Sequence, residues 1–406
     1  LGDIVGRRRL LLAGIVLFTV ASVLCGVAPT LWLLIAARAA QWLGAAIMMA
    51  LAMTFVGETV PKAKTGSAMG LLGAMSAIGT ALGPSLGGLL IVGCSWRAIF
   101  LVNVPLGILA FVFAYRALPV DRQRSGQSTQ RASFDTVGTL LLALTLGAYA
   151  LAMTTGRGSF GLLNLGLLLA AALGAGLFVR AVARAPSPLI QLAVFRDLNL
   201  SAGLAMSMLV STVMMATLVV GPFYLSRALG LEAALVGIVL SVGPIVVALT
   251  GVPAGRIADR FGAQRMTVAG LTVMSAGCFI LSALPAAFGI PGYVGPIVVI
   301  TVGYALFQTA NNTAVMADIR TDQRGVISGM LNLARNLGLI TGASAMGAVF
   351  AVASSASDLS TVGSEAIAAG LRMTFTVAGL LIVVALAIAF ACRMLAARRS
   401  PSAIAE

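Results

Sequence analysis

Residues 66–88 read GSAMGLLGAMSAIGTALGPSLGG, a long, apolar and uncharged stretch that is dense in glycine. Gly79, Gly83 and Gly87 recur at every fourth position, so on an α-helix they leave one face without side chains. A second helix can approach such a face backbone to backbone, as small residues allow in lipid. Pro84 lacks the N–H that a helix interior needs, and we expect it to bend the helix.

The same pattern returns 259 residues later, in residues 325–347. The matching positions are Gly66, Gly70, Leu72, Gly79, Gly83, Ser85 and Gly88, which fall on Gly325, Gly329, Leu331, Gly338, Gly342, Ser344 and Gly347. A second match, at an offset of 256, sets Asp3, Gly6, Arg9, Ala13 and Gly14 on Asp259, Gly262, Arg265, Ala269 and Gly270. Two related halves are typical of membrane transporters. Chance matching in a glycine-rich chain is the alternative.

The composition excludes a soluble domain. Hydrophobic residues make up 60% of the chain and charged residues only 9%, with a mean hydropathy of +1.05, whereas soluble domains carry about a quarter charged residues. The chain has no histidine, and its four cysteines are scattered without pairing or ligand spacing. We therefore expect no enzyme, no metal and no cofactor.

Twelve apolar runs are long enough to cross a bilayer as helices, which predicts an all-α integral membrane protein. They cover approximately residues 10–28, 31–57, 66–93, 97–115, 134–154, 160–182, 199–225, 231–253, 266–285, 293–317, 324–353 and 371–392.

The net charge of +14 would suggest nucleic acid in a soluble protein. Here the charges form short clusters between apolar runs, and twenty of the 26 lysines and arginines fall on one side of the predicted membrane. This asymmetry places both termini of the chain in the cytoplasm. Arginine outnumbers lysine by 24 to 2, which suggests a GC-rich genome and, with the short loops, a bacterial inner membrane.

The repeat also predicts the domain organisation. In the second half, two predicted helices precede Asp259, whereas in the first half none precedes Asp3. We therefore expect about 57 residues, or two helices, to be missing before Leu1. The runs 134–154 and 160–182 have no partner in the repeat and are expected to form an inserted hairpin. The predicted divisions are an N-terminal bundle at 1–115, linkers and hairpin at 116–198, a C-terminal six-helix bundle at 199–395 and a tail at 396–406.

Four motifs carry a resemblance to a known family. Their sequences are Gly2-Asp3-x-x-Gly6-Arg7-Arg8-Arg9, Arg38-x-x-Gln41-x-x-Gly44, Gly79-x-x-x-Gly83-Pro84-x-x-Gly87-Gly88 and Trp96-Arg97-x-x-Phe100-x-x-Asn103-x-Pro105-x-Gly107. In this order, and with the inserted hairpin, they resemble the fourteen-helix drug:proton antiporters of the major facilitator superfamily. The resemblance implies two pseudo-symmetric helix bundles plus the inserted two-helix hairpin. Twelve of the expected 14 helices are visible in this sequence.

The resemblance also implies roles for these residues. Asp3, Gly6, Arg7 and Arg8 would form a latch that closes the cytoplasmic side, with Asp259 and Gly262 as its counterpart. The alternative for the arginines is simple determination of topology. The antiporter helix would carry Gly79, Gly83, Pro84, Gly87 and Gly88, and close helix packing without a role in exchange is its alternative.

Polar residues inside apolar helices are candidates for a proton or substrate pathway, because they are costly in lipid. The candidates are Arg38, Gln41, Asn103, Gln308, Asn311, Asn312, Asn332 and Arg335. The resemblance implies proton exchange at Arg38, and a snorkelling or structural arginine is the alternative. Interhelical hydrogen bonding alone also explains the asparagine stripes.

All twelve acidic residues fall in loops or at helix ends, so the proton-carrying carboxylate is expected in the missing helices. The resulting hypothesis is a proton-driven exporter of hydrophobic or cationic drugs that works by alternating access. Its expected partners are the bilayer, a small-molecule substrate and protons, with no nucleic acid, and we expect a monomer. The alternatives are a major facilitator exporter of a metabolite such as an amino acid, siderophore or lipid, and an inactive truncated fragment.

Overall fold

A computed structural model describes residues 6–61, 64–118, 135–155, 161–185, 190–317, 319, 323–354 and 363–399. Throughout these ranges the regular structure is helical, and they contain no β-strand. Asp3, most of the polar connector after Arg116, and residues 400–406 lie outside the described residues.

In the described ranges, twelve long helices account for the twelve predicted apolar runs. They are α1 (Arg7–Val27), α2 (Leu31–Thr59), α3 (Thr65–Gly93), α4 (Asn103–Ala117), α5 (Thr136–Thr154), α6 (Leu162–Arg184), α7 (Leu198–Phe223), α8 (Ala233–Phe261), α9 (Ala263–Ala283), α10 (Gly289–Ala317), α11 (Arg324–Ala353) and α12 (Ser364–Arg399). Four short helical pieces, Ala98–Leu101, Leu192–Arg196, Tyr224–Ala228 and Ala286–Phe288, lie between them.

Several helices begin at a side chain that accepts hydrogen bonds from the first turn. Asp135 accepts from the Gly138 N–H at 2.7 Å before α5, and Asp197 accepts from the Asn199 N–H at 2.8 Å before α7. Thr30 does the same for α2. Such caps satisfy backbone donors that a helix start leaves without partners.

The structure extends several helices beyond the apolar runs that predicted them. α8 continues through Arg256 and Asp259 to Phe261, and α12 runs seven residues past the predicted end at 392. Arginine is a good helix former, so a helix does not stop where its hydrophobic residues do. Asp259 therefore lies in the last turn of α8.

The predicted run 97–115 is interrupted by a turn at Val102 and resumes as α4. Pro105 then occupies the first turn of α4, where its missing N–H costs no helical bond. The Asn103 side chain donates from Nδ2 to the Ile99 carbonyl at 3.3 Å, across the interruption.

The chain divides into two compact units. The first comprises Leu1–Pro61, Gly79–Phe134 and Ile319–Gly329, and the second comprises Lys62–Ile78, Asp135–Asp318 and Met330–Glu406. In the second unit α7, α9, α10 and α12 pack around a core that includes Leu271, Met274, Ile300, Phe375 and Ile382. The bundle divisions predicted from the repeat stay a prediction.

Large apolar side chains cover the outside of the helices. On α6, for example, Leu162, Leu169 and Leu173 are exposed. Among the described residues, eleven helices are long and apolar enough to cross a membrane, with mean hydropathies of 1.6 to 2.7 over their most apolar windows. By the same measure α3 contributes an apolar segment over Ser67–Ser76. Apolar outer surfaces of this kind fit a lipid environment.

Candidate functional site

A chain of polar side chains crosses the interior of the α1–α2 pair. Arg38 donates from Nη1 to Gln41 Oε1 at 2.7 Å, and Gln41 donates from Nε2 to Ser22 Oγ at 2.7 Å. Ser22 in turn donates to the Phe18 carbonyl at 2.7 Å. Gln41 is 4% exposed and Ser22 is 0% exposed, whereas Arg38 is half-buried. The chain therefore links a partly accessible cation to the buried backbone of α1.

Two aromatic rings flank the guanidinium of Arg38. Its Cζ atom lies 5.4 Å from the centroid of Phe100 and 5.7 Å from that of Trp42. Ring faces attract cations at this range. Together with Gln41 they hold the arginine within an apolar helix, where an isolated cation would be costly.

The equivalent positions of this polar chain in the second half, all of them among the described residues, are apolar. The offset of 256 sets Ser22 on Cys278, and the offset of 259 sets Gln41 on Ile300 and Arg38 on Ile297. Cys278 and Ile300 are 0% exposed and belong to the apolar core of the second unit. Ser22 was not among the predicted site residues, because one serine in an apolar run gives no distinct signal. Comparison with Cys278 would have found it.

The helix pair that carries the polar chain is held by a glycine crossing. A Cβ atom built on Gly44 would lie 2.7 Å from the Phe18 nitrogen and 2.8 Å from the Gly14 carbonyl oxygen. In the α9–α10 pair, a Cβ on Gly303 would lie 2.6 Å from the Met274 nitrogen and 2.7 Å from the Gly270 carbonyl oxygen. These are the same positions in the repeat. The two halves therefore share one backbone-to-backbone crossing.

Asp259, the predicted second-half latch residue, accepts two hydrogen bonds at the start of α3. Its Oδ2 atom receives the Ser67 N–H at 2.9 Å and the Ser67 hydroxyl at 2.8 Å. A carboxylate is favourable there because the first turn of a helix presents free N–H groups and positive dipole. Close by, a Cβ on Gly70 would collide with the Gly251 carbonyl oxygen, so α3 and α8 touch through their backbones.

The two latch glycines have the same backbone conformation. Gly6 has φ 98° and ψ 132° before α1, and Gly262 has φ 89° and ψ 134° before α9. Residues with side chains rarely adopt such positive φ values. The conformation explains why both positions of the repeat carry glycine.

In the first half, the described latch residue Arg8 binds the end of α4. Its guanidinium donates from Nη2 to the Tyr115 carbonyl at 2.5 Å and lies 4.9 Å from the centroid of the Tyr115 ring. Arg7 begins α1, and Asp3 lies outside the described residues. The predicted locking role of this loop stays a prediction.

The candidate pathway residues of the second half occupy two helices. Asn311 is buried and donates from Nδ2 to the Gly203 carbonyl at 3.1 Å and to Ser207 Oγ at 2.9 Å, so it ties α10 to α7. Gln308 and Asn312 are half-buried on α10, and Asn332 and Arg335 are half-buried on α11. The contacts of Asn311 are those of an interhelical hydrogen bond.

The glycine face of α3 differs from that of α11. A Cβ on Gly79 or Gly87 would meet no atom within 4 Å among the described residues. By contrast, Gly338, the repeat partner of Gly79, faces the Met208 carbonyl oxygen on α7. Gly342, the repeat partner of Gly83, faces the Thr212 carbonyl oxygen on the same helix. Gly83, Pro84 and Gly88 lie in α3, but their surroundings are outside the described part, so the bend at Pro84 stays a prediction.

The hairpin of α5 and α6 docks on α11. Tyr149 Oη lies 2.5 Å from Thr341 Oγ1, and the Ser344 hydroxyl donates to the Met153 carbonyl. α11 thus binds α7 with its glycines and the hairpin with its hydroxyls. Among the described residues, no three His, Cys, Asp or Glu side chains come together as metal ligands.

Comparison with known proteins identifies the family to which this architecture belongs. The family model described as Major Facilitator Superfamily matches residues 1–343. The chain is 30% identical over 344 residues to the uncharacterized transporter YebQ of Escherichia coli, covering 84% of this chain and 74% of YebQ. It is 31% identical over 360 residues to the multidrug resistance protein Stp of Mycobacterium tuberculosis, covering 86% and 65%. It is 30% identical over 354 residues to the riboflavin transporter RibZ of Clostridioides difficile, covering 86% and 75%.

A solved structure has the same fold. The human organic anion transporter MFSD10 aligns over 96% of this chain and 78% of its own, with a TM-score of 0.65 and 16% identity.

Proposed function

The chain belongs to the Major Facilitator Superfamily, and on this premise we propose that it exports hydrophobic or cationic drugs in exchange for protons. The observation that carries the proposal is the similarity to Stp, a multidrug resistance protein, over 86% of this chain. Membership makes the protein a membrane transporter and not an enzyme. The cargo, the coupling ion and the direction of transport are the proposed part.

The polar chain of the α1–α2 pair supports proton coupling. Arg38, Gln41 and Ser22 form an unbroken series of hydrogen bonds in a part of the molecule whose repeat partner is apolar. The first half has hydrogen-bonding residues at positions where the second half has apolar ones. This difference is consistent with a role in proton coupling that the first half alone performs. In the proposed cycle, a proton moving down its gradient releases about 2.3 kcal/mol per 100 mV of membrane potential, which drives export.

Dye efflux tests the proposal. Cells that make the protein are loaded with ethidium, a hydrophobic cation, and its loss is followed with and without a protonophore. We expect efflux that the protonophore abolishes and that Arg38→Gln reduces about tenfold or more, since a partly buried charged hydrogen bond is lost. Arg97→Gln is the matched control. The Cζ atom of Arg97 lies 4.8 Å from the centroid of the Trp96 ring, but Arg97 takes no part in the polar chain. Efflux that is indifferent to the protonophore would reject proton coupling.

A second candidate is export or uptake of a metabolite. The similarity to RibZ, a riboflavin transporter, over 86% of this chain favours it. Transport of radiolabelled riboflavin by the same cells, without any movement of ethidium, would decide for this candidate over drug efflux.

We also propose that the natural protein has two more helices before Leu1, as in the fourteen-helix antiporters. Within the described residues, a Cβ on Gly79 or Gly87 of α3 would meet no atom within 4 Å, whereas Gly338 and Gly342 of α11 face α7, and this difference supports the proposal. Gly79→Leu should therefore be tolerated in the 406-residue chain but should destabilise a protein extended to the upstream start codon. Equal tolerance in both proteins would contradict the proposal.

A further inference from the structure

The second unit contains a cavity of about 480 Å³, and two of the predicted site residues, Gly262 and Asn311, line it. It lies where α7, α10 and α12 meet the turn between α8 and α9. Ligand pockets in proteins commonly have volumes of about 300 to 1,000 Å³. The cavity is therefore large enough for part of a small amphiphile.

The cavity has a cationic rim and an apolar wall. Arg265, at the start of α9, and Arg393, near the end of α12, both line it and are exposed. Met206 on α7 and Val315 on α10 line it as well, and both are buried. A ligand that fills the cavity must accordingly combine a polar head with an apolar body.

The charge of the cavity is positive. None of the described residues that line it is acidic. Asp197, two positions before the lining residue Asn199, uses its carboxylate to cap α7. Within the part of the chain that the structure describes, neither Arg265 nor Arg393 has a hydrogen-bond or ion-pair partner. Their guanidinium groups are therefore available to an anion.

Two further polar side chains of the cavity, Asn311 and Thr267, are already engaged. Asn311 binds Gly203 and Ser207, and the Thr267 hydroxyl donates to the Ala263 carbonyl at 2.9 Å. The two arginines are the charged donors of the described lining, and Gln264 adds an uncharged one. Guanidinium forms paired hydrogen bonds with phosphate and carboxylate oxygens, so a phosphate group is a suitable partner for the two arginines.

We propose that this cavity binds an anionic phospholipid. The phosphate contacts Arg265 and Arg393, and the glycerol and first methylenes lie against Met206 and Val315. A free phosphate ion would use the arginines alone and leave the apolar wall empty. The position also suits a lipid, because α7, α10 and α12 are long and apolar enough to span the bilayer that supplies it.

Lipid retention tests the proposal independently of transport. The full chain is purified in detergent, titrated with phosphatidylglycerol or phosphatidylcholine, and examined by native mass spectrometry. We expect selective retention of phosphatidylglycerol and a loss on the order of tenfold in the double variant Arg265→Gln/Arg393→Gln. The matched control is Arg180→Gln/Arg184→Gln, which removes two exposed arginines from α6, away from the cavity. Equal losses in both double variants would overturn the proposal.

A second variant separates the lipid from a free anion and remains informative if the arginine variant fails to fold. Ala202→Leu narrows the apolar part of the cavity and leaves both arginines in place. It should reduce phosphatidylglycerol retention severalfold without changing the weak binding of glycerol phosphate. Glycerol phosphate that binds as tightly as phosphatidylglycerol would overturn the proposal, as would unchanged lipid retention in Ala202→Leu. Neither result bears on drug efflux, so the two proposals fail separately.

Discussion

Individual side chains give the first half of this transporter its distinctive interior. Gln41 connects Arg38 to Ser22, so each of its amide atoms has a partner. Removing one member leaves another buried polar group unpaired, which costs more than the hydrogen bond contributed. The three residues should therefore act as one unit in stability measurements.

A double-mutant cycle measures this coupling. Ser22→Ala and Gln41→Ala should each lower the free energy of unfolding by about 1–3 kcal/mol. The double variant should lose less than the sum, by about 0.5 kcal/mol or more, because the residues share a hydrogen bond. Thermal unfolding in detergent is the measurement. Additive losses would show that the hydrogen bond contributes nothing.

The contact between Asp259 and Ser67 makes a second residue-scale prediction. Asp259→Ala should lower the free energy of unfolding by about 1–3 kcal/mol, since two hydrogen bonds to a carboxylate are lost. Asp259→Asn keeps an acceptor but loses the charge at the helix start, so its effect should be smaller. Glu365→Gln, an exposed carboxyl in the first turn of α12, serves as control. A loss in this control as large as that in Asp259→Ala would argue against a specific contact.

Pairs of helices are the next level of organisation, and glycine decides how closely they approach. The α1–α2 and α9–α10 pairs cross at equivalent glycines, where an added methyl group would meet the backbone of the partner helix. Backbone cannot rotate away as a side chain can, so the helices themselves would have to separate. The loss of stability caused by an added methyl group should therefore be similar in both helix pairs.

Alanine substitutions compare the two crossings. Gly44→Ala and Gly303→Ala should each destabilise the protein by about 2 kcal/mol or more, as overpacking does. Gly166→Ala, on α6 with no atom within 4 Å, should be neutral or stabilising by up to about 1 kcal/mol. The yield and unfolding midpoint of purified protein report both. Tolerance of Gly44→Ala alongside loss in Gly303→Ala would mean that the crossings are not equivalent.

The inserted hairpin leads to a prediction at the same scale. Tyr149→Phe removes the hydroxyl that meets Thr341 and retains the ring, so only the hydrogen bond to α11 is lost. We expect a decrease of about 1 kcal/mol in stability and greater protease sensitivity in the segment between α6 and α7. Tyr304 is half-buried on α10, and Tyr304→Phe is the matched hydroxyl deletion. Equal protease sensitivity in both variants would count against docking through Tyr149.

For the molecule as a whole, the all-α major facilitator fold predicted from the sequence is confirmed. It was predictable because the length and apolarity of a membrane helix are both visible in its residues. The helix ends were less predictable, as in α8, since charged residues continue a helix without adding hydrophobicity. The partners Ser22 and Ser67 were missed for another reason. Their roles come from a neighbouring helix, and nothing in their own segment points to it.

The shared crossing also bears on how such a protein can change over time. Gly14 and Gly44 set the distance between two helices, whereas Ser22 and Gln41 set the chemistry in the space between them. In a chain built from two related halves, that chemistry can differ between the halves while the geometry of both stays the same. An ancestral or redesigned second half that carries serine at Cys278 and glutamine at Ile300 therefore already has a scaffold of the right spacing.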